Sequence, residues 1–351
     1  NLLRDDGVIF ISIDDNEVSN LRKVCDEIFG EENFVANVVW QHSLQPKGYN
    51  DQFSVHHNHI ICYQKSELYK LHPFERTDYD NKNYSNPDND PRGLWRPGDV
   101  RNALYRPNLI YDIISPSGKI ISPPENGWRW SKETVNEKIK TGEIVFSKDE
   151  TRIIRKIYLD TVEGRAPETI WFGKDVGTTR DASSELKNLF DGNAPFDTPK
   201  PSKLIIPMIK LCSSAQSADN PEPDIILDFF AGSCTTAHAV LDLNKQDGGN
   251  RKFIMVQLPE PCAEDSEAFK AGYKTIADIG KERIRRVIKN ISRGDAETQR
   301  EKNQREKASL FSSNSSSATS APPREASSPD LGFKVLKLNK SNFKRWQNLA
   351  P

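Results

Sequence analysis

No run of this chain is apolar enough to cross a membrane; each stops well short of the roughly 18 residues a span requires. Cysteine is scarce. Cys25, Cys62, Cys212, Cys234 and Cys262 make no C-x-x-C pair and no even framework. That argues against a disulfide scaffold and a cysteine-ligated zinc site, and it fits a reduced, cytoplasmic setting. A signal-peptide pattern is missing as well. Neither sign of charge dominates: 49 Lys and Arg stand against 50 Asp and Glu, a net charge of −1. A DNA binder with that balance must gather its cations on one face. Hydrophobic residues reach only 36%, so part of the chain is expected to be disordered. No internal repeat, membrane partner or metal is expected.

The 351 residues suffice for two compact domains. Gly7–Ile13 is a β-branched run that reads as a buried strand. Val18, Leu21, Cys25, Ile28 and Phe29 then form a helical stripe that Gly30 closes. Phe34–Gln41 and His59–Gln64 are strand candidates. Residues 1–70 therefore read as the second half of an α/β sheet. Because Asn1 lies directly ahead of the first strand, the chain is expected to be a fragment whose N-terminal part is missing.

From 71 to 182 the periodic segments are short, and Pro, Asn, Asp, Gly and Trp dominate, which suggests an inserted domain. Ser131–Lys140 is its one helix candidate, followed by a strand at Glu143–Phe146. The α/β pattern returns over 183–291, ending in a helix with Ile276, Ile279, Ile284, Val287, Ile288 and Ile291 on one face. Residues 292–330 are low-complexity and expected to be a flexible linker. Residues 331–351 regain apolar side chains and are expected to dock.

The most informative stretch is Ile225–Leu241. An apolar run ends in Asp228, Ala231-Gly232-Ser233 forms a small-residue turn, and an amphipathic helix follows. A strand, a tight turn and a helix N-terminus are how a doubly wound sheet holds a nucleoside-bearing cofactor. The turn lacks the G-x-G-x-x-G spacing of a nicotinamide site.

Four stretches carry a family resemblance: Leu2–Asp15, Phe196–Leu204, Asp228–Val240 and Arg251–Glu260. In this order they resemble the modification subunit of type III restriction–modification systems and related permuted, adenine-specific DNA methyltransferases. The resemblance implies an α/β, Rossmann-like S-adenosylmethionine-dependent fold, partial and circularly permuted, with an inserted α+β target-recognition domain. It implies methyl transfer from S-adenosylmethionine to the exocyclic amine of adenine in double-stranded DNA. The cytosine amine as target, and a non-catalytic DNA-recognition and cofactor-binding subunit, are the alternatives. A second copy of the chain and a helicase–nuclease restriction subunit are left open as partners. Two departures stand out. The family's cofactor loop has Gly where this chain has Cys234, and its Asp/Asn-Pro-Pro-aromatic tetrad is missing. Ser122-Pro-Pro-Glu125 lacks the aromatic residue, so the catalytic tetrad is expected upstream of Asn1.

The resemblance assigns the cofactor loop to Asp228, Phe230, Ala231, Gly232 and Ser233, with Glu260 on the ribose hydroxyls. Thr198, Lys200 and Ser202 are expected at the cofactor's amino-acid end; a helix-capping turn is the competing reading. His238 reads as a packed or capping histidine. Trp95, Arg96, Arg101, Trp128, Arg129, Trp130 and Lys132 are the DNA-contact candidates, against the alternative that the tryptophans are core. Lys281, Arg285, Arg286 and Lys289 read as a solvated helix face.

Overall fold

The computed structural model describes residues 2–46, 48, 53–213, 223–312 and 332–337; of 295–312 it describes the backbone alone. The chain divides into two compact units, Asn1–His72 with Glu168–Pro351, and Pro73–Pro167.

The first unit opens with β1 (Val8–Ile13), α1 (Val18–Phe29), β2 (Phe34–Gln41) and β3 (His57–Gln64). Gly30 ends α1 at φ 90°, a conformation that costs glycine little. β3 is the central strand, antiparallel to both β1 and β2, and its Ile60, Ile61, Cys62 and Tyr63 are buried. The Tyr63 hydroxyl donates to Asp26 Oδ1 at 2.5 Å, pinning α1 to the sheet.

The second unit holds α2 (Asp78–Asn81), β4 (Trp95–Gly98), β5 (Ile113–Ile114), β6 (Ile120–Ile121), α3 (Lys132–Lys140), β7 (Ile144–Phe146) and β8 (Ile153–Tyr158). β4, β8 and β7 form an antiparallel sheet in that order, and β5 pairs with β6. Ser131 caps α3, accepting from the Thr134 amide. Ile113, Ile121, Trp128, Val135, Ile144 and Ile153 make its core. Lys156 is buried between Asp88 and Asp90, and Tyr158 and Arg92 also donate to Asp90. These donors hold the Asp90 carboxyl far below the usual range, Arg92 and Lys156 foremost. The turn-rich Asn86–Asp90 stretch is therefore a charged scaffold.

The first unit resumes with β9 (Ile170–Trp171), α4 (Gly173–Val176), α5 (Thr179–Leu189), α6 (Ser202–Cys212), β10 (Ile225–Asp228), α7 (Thr235–Asp247), β11 (Lys252–Met255), α8 (Glu267–Lys270) and α9 (Ile276–Ser312). β9 adds to β2 in parallel, giving the order β1–β3–β2–β9. Residues 168–182, expected in the inserted domain, thus belong to the first unit. β10 and β11 pair in parallel, with α7 as their crossover. Pro207 lies inside α6, and the helix continues through it.

Two expectations change at the C-terminal end. The linker was to begin at 292, but α9 runs to Ser312. Residues 295–312 are rich in Glu, Lys, Arg, Gln and Ala, all good helix formers, so propensity sustains the helix where apolar content falls. Of the docking segment, only 332–337 are described, without regular structure; Phe333 packs on the core formed by α7 and α9. The rest of 331–351 lies outside the described residues.

Candidate cofactor loop and nucleic-acid face

β10 delivers Asp228 to the mouth of the loop. Asp228 Oδ1 accepts the Phe230 amide at 3.1 Å, and Oδ2 accepts the Thr236 hydroxyl at 2.6 Å. One carboxylate therefore closes the turn and ties it to the first turn of α7. The Ala231 amide donates to Val256 O and the Gly232 amide to Gln257 Oε1, fastening the loop to the end of β11. Sequence reasoning missed Gln257.

Gly232 (φ 51°) and Cys234 (φ 59°, ψ 41°) are both left-handed. A Cβ on Gly232 would touch the Phe196 ring at 3.4 Å, an ordinary contact, so it is the left-handed φ that favours glycine here. Cys234 occupies the position where the family resemblance expects glycine. Its Sγ is buried against Gly280 of α9, where a Cβ would lie only 2.5 Å away. Burial pushes this thiol up to about 12, so it is not a nucleophile at neutral pH.

The Phe196–Lys200 segment lies over the loop, with Thr235 Oγ1 donating to Lys200 O at 3.1 Å. Lys200 sits above the Trp40 ring, and burial lowers its pKa. Thr198 and Glu260 are exposed. Glu260 lies beyond the end of β11, not on it. Phe230 is 83% exposed beside Phe229, leaving an aromatic face open at the loop.

Ser202 and Ser233 are placed differently from expectation, because both hydroxyls turn inward. Ser202 donates to Glu185 Oε2 at 2.6 Å, while Ser233 receives a hydrogen bond from Arg283 at 3.0 Å. Arg283 is fully buried. It also donates to Thr235 Oγ1 at 2.8 Å and to Glu185, and His238 Nδ1 lies 3.1 Å from it. His238 stands between Glu185 and Asp242 as a packed histidine. The cofactor loop therefore rests on a buried ionic cluster, and Ser202 and Ser233 support it from below.

In the second unit Trp95 and Trp128 are core residues, which removes them as DNA contacts. Their indole nitrogens donate to Asp88 and to Tyr111 O, which is what lets tryptophan be buried there. Arg101 is exposed but paired with Asp99, and Lys132 is exposed. Trp130 differs: Arg129, Lys138 and Arg155 lie over its ring at 5.8, 5.7 and 5.4 Å. Burial, with Arg129 and Arg96 close by, lowers the Arg155 pKa, so three guanidinium groups crowd one face. Arg155 was missed from sequence; its place opposite Gly98 on β4 is a long-range pairing. On α9, Arg285 and Lys289 are exposed as expected, but Arg286 is half-buried, donating to Leu189 O and Asp191 and stacking on Phe190, so it docks α9 onto the end of α5.

The profile of a DNA methylase family, the N6/N4 methyltransferases, matches residues 1–289. The chain belongs to that DNA methylase family. The chain is 36% identical over 296 residues to the type III restriction–modification enzyme StyLTI Mod subunit of Salmonella typhimurium, covering 83% of this chain and 43% of that protein. It is 33% identical over 327 residues to the EcoP15I Mod subunit of Escherichia coli, covering 82% and 49%. With the type II methyltransferase M.KpnI of Klebsiella pneumoniae it shares 33% over 309 residues, covering 83% and 71%. The chain thus spans about half or less of the two Mod subunits. Its α/β architecture is that of a methyltransferase, as the strand, turn and helix around Asp228 led one to expect.

Proposed function

We propose that this chain supplies the cofactor-binding and DNA-reading parts of a restriction–modification methyltransferase acting on the exocyclic amine of adenine in duplex DNA. The observation that carries the reading is the loop from Asp228 to Thr235, with its two left-handed residues beneath the Phe196–Lys200 segment. S-adenosylmethionine fits this cradle and supplies an electrophilic methyl group when bound. Asp228, Phe230, Ala231 and Gly232 would hold it through backbone and an open aromatic face, with Glu260, Thr198 and Lys200 at its two ends. Ser233 and Ser202 keep the loop in register. Lys200, its pKa lowered by burial, would pair with the cofactor's carboxylate.

Adenine's amine lies inside the base stack, so the base must be extruded before it can react. The acceptors that free its lone pair belong to a tetrad this chain does not contain. The relatives named as Mod subunits of restriction–modification enzymes support a restriction subunit as partner. The test is labelled methyl transfer to duplex DNA by the full-length protein. Label recovered as N6-methyladenine supports the reading, and label only in N4-methylcytosine contradicts it.

The Arg96, Arg129 and Arg155 face around Trp130 would contact DNA. Arg129→Ala and Arg155→Ala are each expected to weaken duplex binding and to reduce the slope of log affinity against log salt by about 1. Trp95→Phe, a core change, should leave that slope unaltered. Fluorescence anisotropy across a salt series checks all three.

A further inference from the structure

Three side chains converge at one end of the four-stranded sheet. His57 and His59 stand two apart on β3 and so share a face. Ile13, the last residue of β1, pairs with His59, which brings the following turn and its Asp15 to the same place. His59 Nε2 lies 2.9 Å from Asp15 Oδ1, and His57 Nε2 lies 3.5 Å from the same oxygen. One ligand atom from each of the three lies within 4.8 Å of the others. On its far side, His59 Nδ1 faces Asn37 Oδ1 at 3.1 Å.

Both rings turn Nε2 toward the one Asp15 oxygen, and the Asn37 amide holds His59 from the other side. A divalent cation suits this convergence. His59 Nδ1–H then donates to Asn37, while both Nε2 lone pairs and the Asp15 oxygen point at the ion.

We propose that Asp15, His57 and His59 form a binding site for a zinc-class divalent metal ion, with Asn37 orienting His59 from behind. Two imidazoles and one carboxylate are borderline donors that suit zinc over magnesium or calcium. Ligand atoms bonded at about 2.0–2.1 Å to a tetrahedral ion lie about 3.3 Å apart. The observed separations reach that arrangement by small rotations of the exposed Asp15 and the half-buried His57. Asn37 is the outer partner that metal-bound histidines require. Water fills the remaining position, and the ion ties the turn after β1 to the start of β3. The absence of cysteine pairs removed one class of zinc site; this one uses no cysteine.

The experiment uses the untagged, metal-stripped chain, titrated with zinc chloride by calorimetry and with cobalt chloride by visible absorption. One zinc per chain is expected, with a cobalt d–d band and a thermal midpoint that rises with zinc. His57→Gln and Asp15→Asn should each weaken zinc binding by at least about 100-fold, and Asn37→Ala by about 10-fold. Their metal-free thermal midpoints show whether each variant is folded, and His57→Gln is the least intrusive of them. Failure of the parent chain to bind zinc would overturn the proposal. So would zinc binding that survives unchanged in both His57→Gln and Asp15→Asn, or magnesium binding of equal strength.

Discussion

Arg283→Met is expected to lower the stability of the first unit by about 3–5 kcal/mol, the usual result of removing one partner from a buried ion pair. The methionine retains most of the volume, so the loss is chiefly electrostatic. Glu185 would keep its charge with only His238 to oppose it, and Ser233 and Thr235 would each lose a donor. Ser202 and its amide also lean on Glu185, so the start of α6 would loosen with the loop. Urea unfolding at pH 6 measures the effect. Adding Glu185→Gln should cost less than the sum of the two single changes, because no charge is then left stranded.

The same cluster sets a pH dependence. Burial acts to raise the Glu185 pKa, but His238, Ser202 and Arg283 outweigh it and bring it to about 2. A depressed carboxyl contributes fully above its unfolded value, near 4.5, and loses that contribution as pH falls toward 2. Burial acts to lower the His238 pKa, and the Asp242 and Glu185 carboxylates outweigh it, so the net shift is upward. A raised histidine contributes fully below its unfolded value, near 6.5, and loses that contribution as pH rises through the folded value. The cluster therefore stabilises most between about pH 4.5 and 6.5. Urea midpoints of the Arg283→Met protein should vary with pH less steeply over pH 2–4.5 than those of the parent.

Gly280→Ala is expected to change sign with the residue at 234. In the parent, the new Cβ would lie 2.5 Å from Cys234 Sγ, an overlap that costs about 1–3 kcal/mol. With Cys234→Gly already in place, the nearest remaining atom is Gly232 O at 3.3 Å. Alanine then contributes its helix propensity, about 1 kcal/mol over glycine. Cys234→Gly alone should be nearly neutral, since relief of the left-handed Cβ and loss of the buried thiol are each about 1 kcal/mol. The four proteins of this cycle should show a coupling of about 2–4 kcal/mol. Additivity within about 0.5 kcal/mol would mean that Cys234 and Gly280 do not share this space.

The elements built on local pattern were legible. Phe34–Gln41 shows as a strand from its β-branched and aromatic residues, and Val18–Phe29 as a helix from its stripe and Gly30. The loop at Asp228 was readable because its chemistry is contiguous. Arg283 was not, because its partners Glu185, Ser233 and His238 lie 98, 50 and 45 residues away. One local sign of it existed: Arg283 stands four residues from Ile279 and from Val287, in the middle of the buried stripe. Among the recognition-domain candidates, composition could not separate Trp130, ringed by cations, from Trp95 and Trp128 in the core. All three sit in similar turn-rich text, and only strand pairing distinguishes them.

What the Asp228 loop binds is the decisive property of this chain. Calorimetry with S-adenosylmethionine, and separately with NAD, on this chain and on its Gly232→Val variant would decide it. The account predicts saturable binding of S-adenosylmethionine and none of NAD. It also predicts an affinity about 10-fold or more lower in the variant, whose branched side chain costs 1–2 kcal/mol at a left-handed residue (roughly) and fills the approach beneath Phe196. Binding of NAD in place of S-adenosylmethionine, or equal binding by the folded Gly232→Val protein, would contradict it.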